Sequence, residues 1–194
     1  MDELEDLLRL GPPAPDLPDI SEAAARAGLL DVAYATLDSP VGELLLAATP
    51  RGLVRVSYLD GGLDVALEQL ATRVSPRVLA APRPLDPVRR ELEEYFSGAR
   101  RAFDVALDWQ LARGFGRRVL QATAEIPFGS VSSYGAVAAA AGSPRAYRAA
   151  GNALGANPLP IVVPCHRILH AGGGMGGYTG GVERKRVLLA LEGR

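Results

Sequence analysis

The sequence is poor in the residues that most protein chemistry relies on. Its 194 residues include one cysteine, two histidines, two methionines and one tryptophan. A single cysteine rules out an internal disulfide, and with only two histidines beside it the ligand set is too thin for zinc. Neither a C-x-x-C nor an H-x-x-E-H pattern occurs, so no metal and no cofactor is expected. The glycine-rich stretch HAGGGMGGYTGG (170–181) is not followed by the G-K-[ST] of a phosphate loop. Uninterrupted apolar runs of 18 residues are missing, which argues against a membrane-spanning helix. The opening MDELEDLLRL is acidic where a secretion signal needs a basic start. With the unpaired cysteine, this leads to the expectation of a soluble, cytoplasmic protein.

Charge of one sign is scarce in each half. Residues 1–50 carry ten acidic side chains against two basic ones; residues 111–194 carry three acidic against ten basic. The net charge of −1 conceals this division. The basic half has the balance of a surface that meets phosphate, unless the two halves simply complement each other within one fold.

The chain divides into three parts. Residues 1–30 form an acidic extension interrupted by GPPAPDLPD (11–19), where four prolines forbid a regular helix or strand. Its flanks, DELEDLLRL and ISEAAARAGLL, each suit a short helix. Residues 31–110 read as a small α/β domain with a mostly antiparallel sheet. VAYATL (32–37), ELLLAAT (43–49), LVRVSYL (53–59) and FDVALDW (103–109) are its strands. LDVALEQLATRV (63–74) and PVRRELEEYFSG (87–98) are its helices. Residues 111–194 read as a helical domain, giving an α+β protein. GFGRRVLQATAEI (114–126) is followed by SSYGAVAAAAG (132–142), with Ser132 or Ser133 as N-cap and Gly142 as stop. SPRAYRAAGNALGAN (143–157) comes next, with Ser143 as its N-cap candidate, and VERKRVLLALEG (182–193) closes the chain.

The second and third of these helices make a helix-turn-helix candidate. Arg145 and Arg148 stand among Ala149, Ala150, Gly151 and Ala153. Small side chains admit close approach and arginines supply phosphate or base contacts, although such a face also suits helix–helix packing.

The lone Cys165 lies in PCHRILH (164–170). A free cysteine is most often an inert buried hydrophobe. Here His166 and Arg167 favour thiolate, and Pro160 and Pro164 bracket a strand-like run that could set the side chain at a pocket floor. A Cys–His couple needs an acceptor to orient the imidazole, and downstream only Glu183 and Glu192 are available.

PCHRI (164–168), preceded by NPLPIVV (157–163) and followed by GYTGG (177–181), resembles the active-site signature of the O6-alkylguanine-DNA alkyltransferases. The resemblance runs from about Phe115 to Gly193 and reaches more loosely to SPVGELLLAAT (39–49); residues 1–30 lie outside it. It implies irreversible, single-turnover transfer of an alkyl group from O6-alkylguanine, and O4-alkylthymine, in double-stranded DNA. The target base would be flipped into the site. Position by position, Cys165 matches the alkyl acceptor, His166 its base acting through a water, and Glu192 the orienting carboxylate. Asn157 matches the residue that fixes the active-site turn. Tyr134 matches a tyrosine at the 3′ phosphate and a proton donor to the leaving guanine. Arg148 matches the finger that fills the base stack. Arg145, Ala149 and Gly151 share that DNA face, with the helix in the minor groove. Tyr178, Thr179, Gly177, Ile168 and Pro160 match the pocket for the base. Gly177 stands where some members carry a larger polar residue, which implies room for alkyl groups bulkier than methyl. Gly116 and Leu120 replace an expected glutamine and tryptophan and read as packing changes. His170 has no role in this scheme. A monomer without membrane attachment is expected. Two other classes remain at this point: a DNA-binding regulator whose cysteine senses alkylating agents, and a Cys–His hydrolase of unrelated fold.

Overall fold

The computed structural model describes residues 21–194, so DELEDLLRL and the proline segment 11–19 lie outside the described residues. A short helix, α1 (Ser21–Arg26), leads into three strands, β1 (Val32–Leu37), β2 (Leu44–Thr49) and β3 (Gly52–Tyr58), within a residue of the expected segments. β1 pairs antiparallel with β2, and β2 with β3. The sheet order is β3-β2-β1-β4, and β4 (Val78–Ala80) runs parallel to β1. The sequence reading has no counterpart for β4, whose three residues sit between Pro76 and Pro82.

Period-two alternation sorts β2 into two cores. Leu44, Leu46 and Ala48 face the main core with Leu92 and Tyr95 of α3 (Asp86–Phe96). Leu45 and Ala47 face a smaller one with Ala66 and Leu70 of α2 (Leu63–Arg73). Both faces are covered, so the strand is apolar from Leu44 to Ala48.

The fourth expected strand, 103–109, reduces to a single parallel bridge between Leu53 and Leu107. Leu53 N–H donates to Ala106 O and Asp108 N–H to Leu53 O. Pairing then stops because Asp108 turns its carboxylate onto Gln110 N–H and caps a 3-10 turn, Trp109–Leu111. At the start of β3, Gly52 (φ 131°) leaves no room for a side chain, since a Cβ would lie 2.3 Å from the Ala106 carbonyl oxygen.

The second half packs α4 (Gly114–Ala124), α5 (Tyr134–Ala140) and α6 (Tyr147–Gly155) against one another, followed by α7 (Val182–Leu191). Ser133 caps α5 by accepting from Ala136 N–H. The helix expected from Ser143 begins four residues later, at Tyr147. Ala146 N–H bonds back to Ser143 O, so 143–146 is a turn and Ser143 is not a cap. Gly116 and Leu120 do pack: a Cβ on Gly116 would touch Ala153 at 3.6 Å, and Leu120 is in the core. Two short parallel strands, β5 (Ser132–Ser133) and β6 (Ile168–Leu169), tie the helix-turn-helix to the cysteine segment. The main core is continuous across both halves, from Leu46 and Val56 to Leu159, Val163 and Cys165.

Candidate active site

The run between Pro160 and Pro164 is a series of turns rather than the expected strand. Asn157 Oδ1 accepts from Leu159 N–H at 3.0 Å, while its Nδ2 donates to Val163 O at 2.9 Å and to Cys165 Sγ at 3.1 Å. One amide thus closes the turn and holds the sulfur. Ile161, buried and β-branched, sits at φ 74°, the one positive φ among the described non-glycine residues. A backbone so placed costs about 1–3 kcal/mol and persists only where its surroundings force it. Pro164 (φ −80°, ψ 61°) with Cys165 N–H on Val163 O forms an inverse γ-turn. Its sharp reversal starts the 3-10 helix Cys165–Arg167.

Cys165 is only 4% exposed. Burial pushes its thiol up to about 11, against the Asn157 hydrogen bond, the Lys185 charge and the N–H groups of Cys165 and His166. The resting group is therefore the thiol. His166 is wholly buried, and its Nε2 lies 2.9 Å from Glu192 Oε1. A carboxylate can only accept, so Nε2 carries the hydrogen and Nδ1 keeps a lone pair. Nδ1 is buried without a hydrogen-bond partner. Burial holds the imidazole below its ordinary value, with Arg167 and Lys185 adding to this and Glu192 opposing it. His166 is thus neutral at physiological pH, with one nitrogen free to take a proton.

Glu192 is the C-cap of α7. Besides His166 it accepts from Tyr95 OH at 2.7 Å, Gly129 N–H at 3.2 Å and Arg167, whose Nε and Nη2 bond at 2.9 and 2.8 Å. Burial pushes this carboxyl up, but the hydrogen bonds from His166, Arg167 and Tyr95 outweigh it and hold the group at about 2. Glu183, the other downstream acid, is exposed and pairs with Arg186. Arg167, expected to favour thiolate, spends its guanidinium on Glu192 and on Ile126 O instead, and burial leaves Cys165 a thiol.

Above these residues opens a cavity of about 810 Å³, lined by Tyr134, Tyr147, Arg148, Cys165, Tyr178 and Thr179 among others. Gly177 and Gly151 line it too. A Cβ on Gly177 would point into open space, whereas one on Gly176 would meet Tyr134 OH at 2.6 Å. His166, Asn157 and Glu192 lie beneath the cavity, buried. Ile168 is core, and Pro160 lines a separate groove with Arg55 and Asn157. Arg145 stands exposed in the turn before α6, and Ala149 is exposed on that helix; neither lines the cavity. His170, without a role in the sequence scheme, does line it, its ring 5.3 Å from that of Tyr134.

Three contributors escape the sequence reading. Tyr95 reaches Glu192 from α3, and no local pattern announces it. Tyr58, at the end of β3, shares a 2.7 Å hydrogen bond between hydroxyls with Tyr178. Burial pushes Tyr58 up to about 12, so both groups stay protonated. Its ring lies under the Arg184 guanidinium and fills the space where a Gly180 side chain would stand. Lys185 is the chain's only lysine and is wholly buried. Its ammonium donates to Ile168 O at 2.5 Å, to Met175 O and to Gly177 O, pinning both legs of the glycine loop. A single lysine beside twenty arginines is the signal that could have found it.

Two family models cover this architecture. Residues 32–109 match the 6-O-methylguanine DNA methyltransferase ribonuclease-like domain, and residues 114–194 match the DNA binding domain of the same family. A methylated-DNA–protein-cysteine methyltransferase of Mycolicibacterium paratuberculosis is 40% identical over 84% of this chain and 93% of its own length. The Homo sapiens protein of the same name is 39% identical over 81% of this chain and 79% of its own. The crystal structure of Mycobacterium tuberculosis OGT in complex with DNA superposes with a TM-score of 0.70 at 40% identity, covering 82% of this chain and 92% of that one. With its one cysteine at the floor of the cavity, the chain belongs to the methylated-DNA–protein-cysteine methyltransferase family of DNA-repair proteins.

Proposed function

We propose that the substrate is O6-alkylguanine in duplex DNA, with O4-alkylthymine as a second one, and that the chain acts as a monomer. Residues 31–110 serve as scaffold and residues 111–194 as the DNA-binding and alkyl-acceptor unit. The observation that carries this reading is the buried Glu192–His166 pair, whose imidazole keeps an unpaired Nδ1 on the residue next to the only cysteine, with that cysteine and Arg148 both lining one cavity.

An alkyl carbon inside a duplex is out of reach, so the nucleotide is extruded into the cavity, whose volume suits one base. Tyr134 promotes the rotation at the 3′ phosphate, and Arg148 fills the gap, offsetting part of the unstacking cost of a few kcal/mol. Arg145 holds phosphate, while Ala149 and Gly151 let α6 approach the minor groove. Tyr178, Thr179 and Gly177 hold the base, with Ile168 and Pro160 supporting the wall from behind. His166 takes the thiol proton at Nδ1 through a water, and Glu192 stabilises the imidazolium. Sulfur attacks the alkyl carbon, the S–C bond forms as the C–O6 bond breaks, a proton from Tyr134 neutralises the leaving guanine, and the imidazolium proton then restores Tyr134. The net change moves the alkyl group to sulfur and the thiol proton to the base. A thioether is not a leaving group here, so each molecule acts once. A reducing cytoplasm would keep Cys165 available.

Intact mass after mixing with an oligonucleotide carrying O6-methylguanine tests this. One methyl should appear at Cys165 and be absent from Cys165→Ala; no mass shift overturns the reading, and repeated turnover would point to a hydrolase.

A further inference from the structure

We infer that Tyr147 is a second DNA-stacking side chain, which takes the face of a nucleobase when Arg148 leaves it to enter the duplex. The inference rests on the DNA alkyl-transfer reading above and deepens it.

The observations concern the first turn of α6. Tyr147 is 49% exposed, the one aromatic among the exposed large apolar side chains of the described residues. Isolated exposed apolar groups are ordinary, so exposure alone decides nothing. Its position does: Tyr147 lines the mouth of the cavity that holds Cys165. Beside it the exposed residues of the helix are Arg148, Ala149, Asn152 and Gly155, with Gly151 half-buried, so no other aromatic shares the face. A single large flat ring at the lip of that face would meet whatever the helix meets.

The second observation is what covers the ring. The Arg148 guanidinium lies over it, 5.7 Å from the centroid. Neighbouring helical residues do not normally face each other, so Arg148 is folded back onto Tyr147 rather than pointing from the helix. That contact holds the guanidinium at the cavity mouth before DNA arrives. When Arg148 moves into the vacated stack, the ring loses its cation. A base face beside the gap replaces it, since an aromatic ring accepts either a cation or a stacked base. The exchange offsets the cost of undocking Arg148. It also adds a contact that is neither ionic nor sequence-specific.

The test uses the full chain and duplexes with and without O6-methylguanine. Stacking on one aromatic side chain corresponds to a loss of about tenfold in affinity on removal. Tyr147→Ala and Tyr147→Leu should each weaken binding by about that factor, with Tyr147→Phe within twofold of the parent. The salt dependence should stay unchanged in all three, whereas Arg148→Ala should shift its slope by about one. In the Tyr147→Ala, Arg148→Ala double variant the two losses should multiply. 2-Aminopurine opposite the lesion should be quenched by the parent and brighter with Tyr147→Ala. Parent-like affinity in Tyr147→Ala, or no further loss in the Arg148→Ala background, overturns the inference, the latter by reducing Tyr147 to a rest for the arginine. Methyl uptake by the parent, read as mass in the same samples, separates the two levels. Uptake with parent-like Tyr147→Ala removes this inference alone, and no uptake removes the underlying reading with it.

Discussion

The two halves of the molecule each bury a carboxylate against an arginine, and they use it differently. In the sheet half, Asp108 accepts from Thr49 Oγ1 at 2.6 Å, Arg51 Nε at 3.1 Å, and the Gln110 backbone and side-chain N–H groups. Burial pushes its carboxyl up, yet the Thr49, Gln110 and Arg51 donors prevail and hold it below the usual range. Every donor there is spent on fixing the turn. In the helical half, Glu192 has an arginine, a tyrosine and a backbone N–H, but also an imidazole whose far nitrogen is unpaired. The first cluster is closed and the second has an outlet. Of the two carboxylates only Glu192 has its arginine buried with it, and only its cluster includes a donor ring with an unpaired nitrogen.

The largest break in this comparison should come from Glu192→Gln against Asp108→Asn. The first strands Arg167 in the interior, and such a break costs about 3–5 kcal/mol. It should also slow methyl transfer per folded molecule about a hundredfold, because the imidazolium loses its counter-charge. The second leaves a buried polar site partly unpaired, at about 1–3 kcal/mol, and should leave the transfer rate unchanged. Urea unfolding and single-turnover kinetics on both variants measure this, and a slowed Asp108→Asn would erase the distinction.

A difference in pH response should follow. His166 titrates lower in the fold than the roughly 6.5 of an unfolded chain, so protonation opposes folding, and stability falls as pH drops below that value. Both carboxyls are depressed, so the stability they contribute is complete above about 4 and is lost only in stronger acid, down to about 2 for Glu192. Between pH 7 and 5, then, His166→Gln should lose less stability than the parent, while Asp108→Asn keeps the parent's slope. Equal slopes in all three would contradict the sign of the His166 shift.

Tyr58→Phe is expected to act more mildly. It removes the one hydroxyl that the sheet half offers to Tyr178, a neutral hydrogen bond of about 1 kcal/mol, or roughly fivefold in the transfer rate. DNA affinity should not change, and Thr49→Val at the closed cluster should leave the rate alone. The smallest effect should come from Gly177→Asn, whose side chain enters open space in the cavity. It should lower the benzyl-to-methyl rate ratio by about threefold, with methyl transfer kept; an unchanged ratio would show that the alkyl group lies elsewhere.

These expectations differ in how far the sequence foreshadows them. Strands such as Val32–Leu37 are legible as short apolar and β-branched runs bounded by turn residues, and helices with plain apolar spacing because burial writes their period. The pair Cys165–His166 and the partners Asn157 and Glu192 are legible through an ordered motif. What stays hidden depends on distance along the chain. Tyr95 meets Glu192 from 97 residues away and Tyr58 meets Tyr178 from 120, and no local pattern encodes either. The false strand at 103–109 alternates correctly but loses its ladder to the Asp108 cap. The apolar run after Pro160 looks extended, yet the Asn157 amide bends it into turns.

The burial of Cys165 also bears on waste. A single-use acceptor is consumed by any electrophile that reaches it, and alkylated DNA arises where free alkylating agents are abundant. With its thiol pushed up by burial, the resting group holds little thiolate at pH 7. At 4% exposure, Cys165 offers dissolved reagents little surface, and that at the floor of the cavity. Low thiolate content and low exposure would together favour an alkyl group delivered in the cavity over a free reagent, so that lesions rather than dissolved poisons set how fast the protein is spent.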